Sequence, residues 1–153
     1  MPKEIERKFL INPKILPSDL TGKNYVQGYL SISNNGIVRV RKEGDISKLT
    51  IKSHQKGITR DEFEYNIPIN DANRLLKLCQ KNIVKKIRYK TTYKGKIWEI
   101  DEFQDNNKGL WVAEIELSSE NENFDLPDWV LLEVTDNEKY FNSYLSQNPY
   151  LTW

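Results

Sequence analysis

Cysteine and histidine are almost missing from this chain of 153 residues, where Cys79 and His54 each stand alone. A lone cysteine excludes an internal disulfide, and without a Cys/His cluster the usual zinc ligand sets are excluded too. Cys79 falls within an apolar helical pattern and reads as a small core residue, which fits a reducing compartment. His54 sits in a loop and reads as incidental. Long apolar runs are also lacking, and none approaches the ~20 residues a membrane-spanning helix needs. Met1-Pro2-Lys3-Glu4 leads straight into a strand pattern and does not look like a secretory leader. The reading is a soluble, cytoplasmic protein with no membrane partner. Net charge is nearly absent as well: 23 Lys+Arg against 22 Asp+Glu leave +1. That balance gives no whole-molecule attraction to nucleic acid.

What is present is charge itself, at 29% of residues, with aromatics at 11%. The aromatic content argues against disorder. The length suits a single domain over residues 1–153, with a core large enough to fold unaided. No repeat period is visible.

The charge follows strands. From Glu4 to Leu10, alternation puts Glu4, Glu6 and Lys8 on one face and Ile5 and Phe9 on the other. The same arrangement returns at Tyr25–Ser33, Ile37–Lys42, Lys48–Lys52, Arg60–Ile67, Ile83–Tyr93, Ile97–Phe103 and Leu110–Leu117. Asn34-Asn35-Gly36, Gly44-Asp45 and Lys94-Gly95 supply turns. A helix capped by Asn70 or Asp71 carries Ala72, Leu75, Leu76 and Cys79 on one stripe. Asp128–Glu133 is short and apolar. A second helix runs from a Thr135 cap to about Ser146, and the apolar tail from Asn148 to Trp153 docks on the body.

One basic set emerges on the polar faces: Lys8, Arg39, Arg41, Lys52, Lys86 and Arg88. One acidic set accompanies it: Glu4, Glu6, Glu62, Glu64, Glu99, Asp101, Glu114 and Glu116. Lys48 and Arg60 read as surface residues, and Gln27 and Tyr29 as either lumen or packing residues. Eight antiparallel strands suffice to close a barrel around a small lumen. Like charges at i and i+2 repel unless a ligand of opposite sign is due there. The fold class is therefore mainly β (α+β): an eight-stranded antiparallel closed barrel with a charged interior and a few peripheral helices. Carboxylates without His or Cys make an oxygen-only site that suits Mg²⁺ or Mn²⁺. Grouped Arg and Lys make a polyanion site. Together they are laid out for metal-assisted attack on a phosphoryl group.

At this level of detail the chain resembles the CYTH superfamily, the triphosphate tunnel metalloenzymes. Glu4-Ile5-Glu6-Arg7-Lys8 is similar to the family's ExExK signature. The likeness continues in order through Gln27-Gly28-Tyr29-Leu30, Arg39-Val40-Arg41, Thr50-Ile51-Lys52, Arg60-Asp61-Glu62-Phe63-Glu64 and Lys86-Ile87-Arg88-Tyr89. It ends with Trp98-Glu99-Ile100-Asp101, Ala113-Glu114-Ile115-Glu116 and Lys139-Tyr140-Phe141-Asn142, where Lys139 stands in place of a frequent arginine. The resemblance implies a triphosphate-hydrolysing tunnel and a small-molecule triphosphate substrate, inorganic tripolyphosphate first. An adenylyl cyclase, a thiamine or nucleoside triphosphatase, and a non-catalytic polyphosphate or nucleotide binder stay open as alternatives, as does a homodimer. It implies phosphate binding by Lys8, Arg39, Arg41, Lys52, Lys86 and Arg88. It implies Mg²⁺ or Mn²⁺ on Glu4, Glu6, Asp101, Glu114 and Glu116. Glu62, Glu64 and Glu99 would be further ligands or would orient water, with Lys86 joining them as a catalytic residue.

Overall fold

The computed structural model describes residues 3–54 and 57–153. Gln55 and Lys56, in the loop read between His54 and Thr59, lie outside the described residues, as do Met1 and Pro2. Nine strands form among the described residues: β1 (Lys3–Ile11), β2 (Gly22–Ser33), β3 (Gly36–Glu43), β4 (Ile46–Ser53), β5 (Thr59–Asn66), β6 (Ile83–Tyr93), β7 (Lys96–Phe103), β8 (Trp111–Glu116) and β9 (Val130–Glu133). Two α-helices accompany them, α1 (Ile69–Cys79) and α2 (Asn142–Gln147). No helix among the described residues is long and apolar enough to cross a membrane.

Eight of the strands make an antiparallel ring in the order β5-β4-β3-β2-β6-β7-β8-β1, and β1 closes it onto β5. Closure is short: Lys3 faces Asp61, Glu4 faces Arg60 and Ile5 faces Thr59. The ninth strand was not expected. β9 continues the β5 edge of β1 at its other end, where Phe9 faces Glu133 and Ile11 faces Val130. The turn at Asn34-Asn35-Gly36 has a steric reason. Gly36 has φ +142°, and a Cβ there would stand 2.1 Å from the Lys52 carbonyl oxygen across the β3–β4 pair.

The apolar faces point outward and are covered unevenly. On β1, β7 and β8, Phe9, Trp98, Ile100 and Ile115 pack with Trp129 and Phe124 from the loop after β8. Trp98 is at the centre, its ring 5.6 Å from Phe9, 5.8 Å from Phe124 and 5.5 Å from Trp129. α1 lies on β2, and a Cβ on Gly28 would stand 2.7 Å from Cys79 Sγ, so glycine allows that approach. The outer face of β4 and β5 keeps Ile51, Phe63 and Tyr65 exposed.

Inside, the charged faces turn apolar at one end. Leu10, Val84, Phe103 and Val112 lie two residues along from Lys8, Lys86, Asp101 and Glu114 on the same strand faces. Leu145 of α2 packs with them, fully buried, and forms an apolar floor.

Two helix expectations need correction. α1 starts two residues earlier than a cap at Asn70 requires and three earlier than one at Asp71: Pro68 is the N-cap and no side chain caps it. Proline pre-sets an extended entry, so the helix begins directly after it. The helix read from Thr135 is broken into a 3₁₀ turn, Glu138–Tyr140, and α2. Thr135 does not cap it, because its hydroxyl is already spent on β1: it accepts from the Lys8 amide and donates to Glu133. The tail does dock, with Trp153 against the rings of Tyr140, Tyr144 and Tyr150.

Since Trp98 is buried among three aromatic rings, Trp98→Ala should cost about 3–5 kcal/mol of unfolding free energy, the usual range for deleting a buried large ring. Urea unfolding followed by circular dichroism checks this. A loss below about 1 kcal/mol would show that the core is not centred there.

Candidate active site

The inward faces enclose a cavity of about 260 Å³. Its charge is divided by ring order. β4, β3, β2 and β6 form a basic half with Lys48, Lys52, Arg39, Arg41, Lys86, Arg88 and Lys90. β7, β8, β1 and β5 form a mainly acidic half with Glu99, Glu114, Glu116, Glu4, Glu6, Glu62 and Glu64, and Lys8 and Arg60 stand within it. β2 contributes no charge but supplies Tyr25, whose ring centre lies 5.2 Å from the guanidinium of Arg41 and 5.1 Å from that of Arg88. The aromatic ring attracts both cations.

The halves are stitched by ion pairs. Lys52 Nζ reaches Glu4 at 2.8 Å and Glu62 at 3.3 Å, and Arg60 Nε donates to Glu4 at 2.9 Å. Glu64 collects Lys48 at 3.4 Å, Arg39 and Arg41 at 3.8 Å, and the Thr50 hydroxyl at 3.0 Å. On the opposite seam Arg88 holds Asp101 through two bonds of 2.7 and 2.8 Å and donates to Glu99 at 3.2 Å. Buried Glu43 takes Lys48 at 2.9 Å and stands 3.2 Å from Arg41 Nε. That last contact is an ion pair without hydrogen-bond alignment, and among the described residues Arg39 Nε and Arg41 Nε are both buried donors with no hydrogen-bond acceptor. Guanidinium donors without an acceptor at a cavity wall suit an anion.

Carboxylates also meet each other. Glu6 faces Glu116 and Glu99 faces Glu114 in register. Burial, with the Glu114 and Glu4 carboxylates beside it, pushes the Glu6 carboxyl well above its ordinary value. Burial works against Glu114 as well, but Lys8, Arg88 and a hydrogen bond from Glu6 hold it well below. For Glu4, burial is outweighed by Lys52 and Arg60, which bring it to about 2. Burial drives the Lys86 ammonium down to about 7, against the attraction of Asp101.

Does this wall fit a divalent cation? Among the described residues no three acidic, His or Cys side chains stand together as a ready-made cage. Glu6, whose ionisation burial and the neighbouring Glu114 and Glu4 carboxylates oppose, and Glu114 beside it are oxygen donors whose mutual repulsion a hard cation would relieve. Magnesium commonly takes only one or two protein carboxylates and fills its other positions with water and substrate phosphate. The donor set fits on those terms.

Thirteen of the fourteen residues singled out from the sequence line the cavity. The exception is Asp101, assigned to metal by resemblance. It lies beneath the wall, 1% exposed, with Arg88 on both oxygens and Lys86 Nζ at 2.8 Å. Lys48 and Arg60 are corrected from surface to lining residues, because they sit on the same strand faces as Lys52 and Glu62. Gln27 and Tyr29 belong to the interior, with Tyr29 lining the cavity and Gln27 fully buried. Glu43, Lys90 and Tyr25 were missed, although each extends the inward alternation of its strand by one step. Thr135, Phe141, Asn142 and Ser143 also line the cavity and had no signal in strand periodicity. His54 lies outside this cavity.

Residues 2–147 match the family model of the CYTH domain. An inorganic triphosphatase of Acetivibrio thermocellus is 46% identical over 151 residues, covering 98% of this chain and 97% of that protein. An inorganic triphosphatase of Nitrosomonas europaea is 32% identical over 147 residues, covering 94% of this chain and 96% of that one. Among solved structures, the crystal structure of an inorganic triphosphatase aligns at 31% identity with a TM-score of 0.70, covering 95% of each chain.

The crowding of carboxylates around Glu6 has a measurable consequence. Between its ordinary value of 4.5 and its raised folded value, the folded protein keeps a proton that the unfolded chain has released. The folded state then binds more protons than the unfolded one, so Glu6 makes stability fall as pH rises through that window. Glu6→Gln removes this effect. In EDTA it should raise the melting temperature at about pH 8 more than at about pH 5. An equal or lower melting temperature at the higher pH would show that the carboxylates do not repel there.

Proposed function

The chain belongs to the CYTH family, and we propose that it is a divalent-metal-dependent triphosphatase, using Mg²⁺ or Mn²⁺, that cleaves inorganic tripolyphosphate to pyrophosphate and phosphate. One observation carries the reading: a narrow cavity whose basic half faces an acidic half. Polyanions bind to one wall and cations to the other, so a metal–polyphosphate complex is the ligand that matches both. A cavity of about 260 Å³ is also small beside the roughly 300–1,000 Å³ of ordinary ligand pockets. A thin phosphate chain suits it better than a nucleoside does.

The roles follow from position. Arg39, Arg41, Lys52 and Arg88, with Lys8 and Lys86, hold the non-bridging phosphate oxygens, and the Nε donors of Arg39 and Arg41 have no hydrogen-bond acceptor among the described residues to give up for them. Glu6 and Glu114 would hold the cation, with Glu4 and Glu116 beside them. When bound, the cation supplies polarisation of the phosphoryl group and activation of water. Glu99, opposite Glu114, and Glu62 and Glu64 on the far seam are placed to orient the attacking water and accept its proton. The new P–O bond forms as the bond to the leaving pyrophosphate breaks, and the cations of the basic half stabilise the charge on that leaving group. Asp101 serves by fixing Arg88 and Lys86 rather than by touching the reactants. The buried, unbridged Cys79 is in keeping with a cytoplasmic location.

Phosphate release from tripolyphosphate, ATP and thiamine triphosphate, each with Mg²⁺ and with Mn²⁺, tests the proposal. Tripolyphosphate should be the fastest substrate, and EDTA should abolish turnover. Glu114→Gln should lower kcat by roughly 100-fold or more, the scale of losing one electrostatic stabiliser of the transition state. Arg39→Ala removes a charged hydrogen bond worth roughly 1.5–3 kcal/mol and should raise KM by about tenfold or more. Near-normal, metal-dependent turnover by the Glu114 variant would end the mechanism. Equal turnover of ATP, or a cyclic nucleotide product, would transfer the assignment to a nucleotide-using activity.

A further inference from the structure

Two ammonium groups of the cavity are held by one short stretch far from them in sequence. The Tyr140 carbonyl accepts from Lys8 Nζ at 3.1 Å, and Asn142 Oδ1 accepts from Lys86 Nζ at 3.0 Å. Asn142 Oδ1 also accepts from Gln27 Nε2 at 3.1 Å. Lys8 stands in the acidic half and Lys86 in the basic half, so the stretch spans the division of charge. It is anchored on both sides. Leu145 is buried in the apolar floor, and Trp153 packs against Tyr140 and Tyr144.

We propose that Asn142 is a positioning residue that holds the Lys86 ammonium at the cavity wall for a phosphate oxygen. The proposal rests on the triphosphate reading of the site. An ammonium carries three protons and accepts none. Asp101 Oδ2, at 2.8 Å, takes one and Asn142 Oδ1 takes a second, which leaves one for a ligand. The orientation of the Asn142 amide is fixed by the same chemistry, since a donor-only ammonium must meet its oxygen. A lysine on its own flexible stem is a loosely aimed point charge. With Asn142 gone, Asp101 is its remaining acceptor, and Asp101 lies beneath the wall rather than on it. The ammonium then turns away from the cavity. Asn142 acts through Lys86 and need not touch the substrate. Gln27, fully buried, donates to the same oxygen and helps to hold it there.

A double-mutant cycle tests this. Tripolyphosphate binding is measured by calorimetry in EDTA for wild type, Asn142→Ala, Lys86→Met and the double variant. Circular dichroism and thermal melts confirm that each is folded. Asn142→Ser, which keeps a hydroxyl oxygen, replaces the alanine variant should that one not fold. Asn142→Ala should weaken binding by about tenfold, the scale of one hydrogen bond to a charged group. In the Lys86→Met background the same change should do less than about twofold. Equal weakening in both backgrounds, or none in either, overturns the proposal. So does a wild type that hydrolyses tripolyphosphate but does not bind it in EDTA, since the cations alone must hold the polyanion. A wild type that neither binds nor hydrolyses it overturns the functional reading, and the proposal falls with it.

Discussion

Charged side chains confined inside a barrel lose water, and only a facing opposite charge or a hydrogen bond replaces what they lose. Here that constraint and the closure of the ring are one event. β1 meets β5 through only three residue pairs, yet it brings Glu4 within reach of both Lys52 and Arg60. With β1 displaced, Lys52, 5% exposed, would keep only Glu62, which is itself partly exposed. On the other seam Arg88 depends in the same way on β7 for Asp101 and Glu99. The basic half therefore cannot assemble without the acidic half. Breaking one member of such a pair leaves an uncompensated buried charge, which typically costs about 3–5 kcal/mol.

Much of this was legible in the sequence because strand alternation is a strong rule. Every inward residue of β1, β3, β4, β5, β6 and β8 that was singled out does line the cavity, and the parity of one strand was enough to place each. Lys48 and Arg60 were set aside only because a single charged residue on a strand reads as solvated. Their place two or four residues from Lys52 and Glu62 carried the better signal. What alternation does not carry is lateral order. Nothing in the sequence places β6 beside β2 or β8 beside β1, so the like charges seen along strands suggested a basic and an acidic side without saying which strands build each. Nor does it carry depth. Asp101 and Glu99 share a face and a charge, yet Asp101 sits behind Arg88 and Lys86 while Glu99 reaches the lumen.

The C-terminal segment was the least legible. Its apolar residues support a helix by periodicity, but a short 3₁₀ turn and a two-turn helix result, because the chain is bent to serve three contacts at once. Thr135 is tied to β1, Tyr140 and Asn142 to the two lysines, and Leu145 to the floor. Each is a tertiary demand that overrides a local preference. The same segment covers the apolar end of the interior that Leu10, Val84, Phe103 and Val112 of the strands begin.

The internal ion pairs also bear on how tightly such a site can bind. In an empty polar cavity a polyanion and a cation would gain the full attraction of both walls, and products would leave slowly. Here much of each wall is already paired with the other. A phosphate oxygen arriving at Lys52 competes with Glu4 and Glu62, and one arriving at Arg88 competes with Asp101, Glu99 and Glu114. Binding in the proposed reaction is thus an exchange of partners. Only the difference between old and new contacts appears as affinity, which is why charged interfaces give selectivity more readily than strength. A cation that arrives with the anion improves the exchange, because it takes over the carboxylates that the polyanion frees, which otherwise repel one another as Glu114 and Glu4 already oppose the charge on Glu6. When phosphate and pyrophosphate depart, the original pairs re-form and offset the loss of the ligand. The acids that made the barrel foldable are then also the groups that let it release its products.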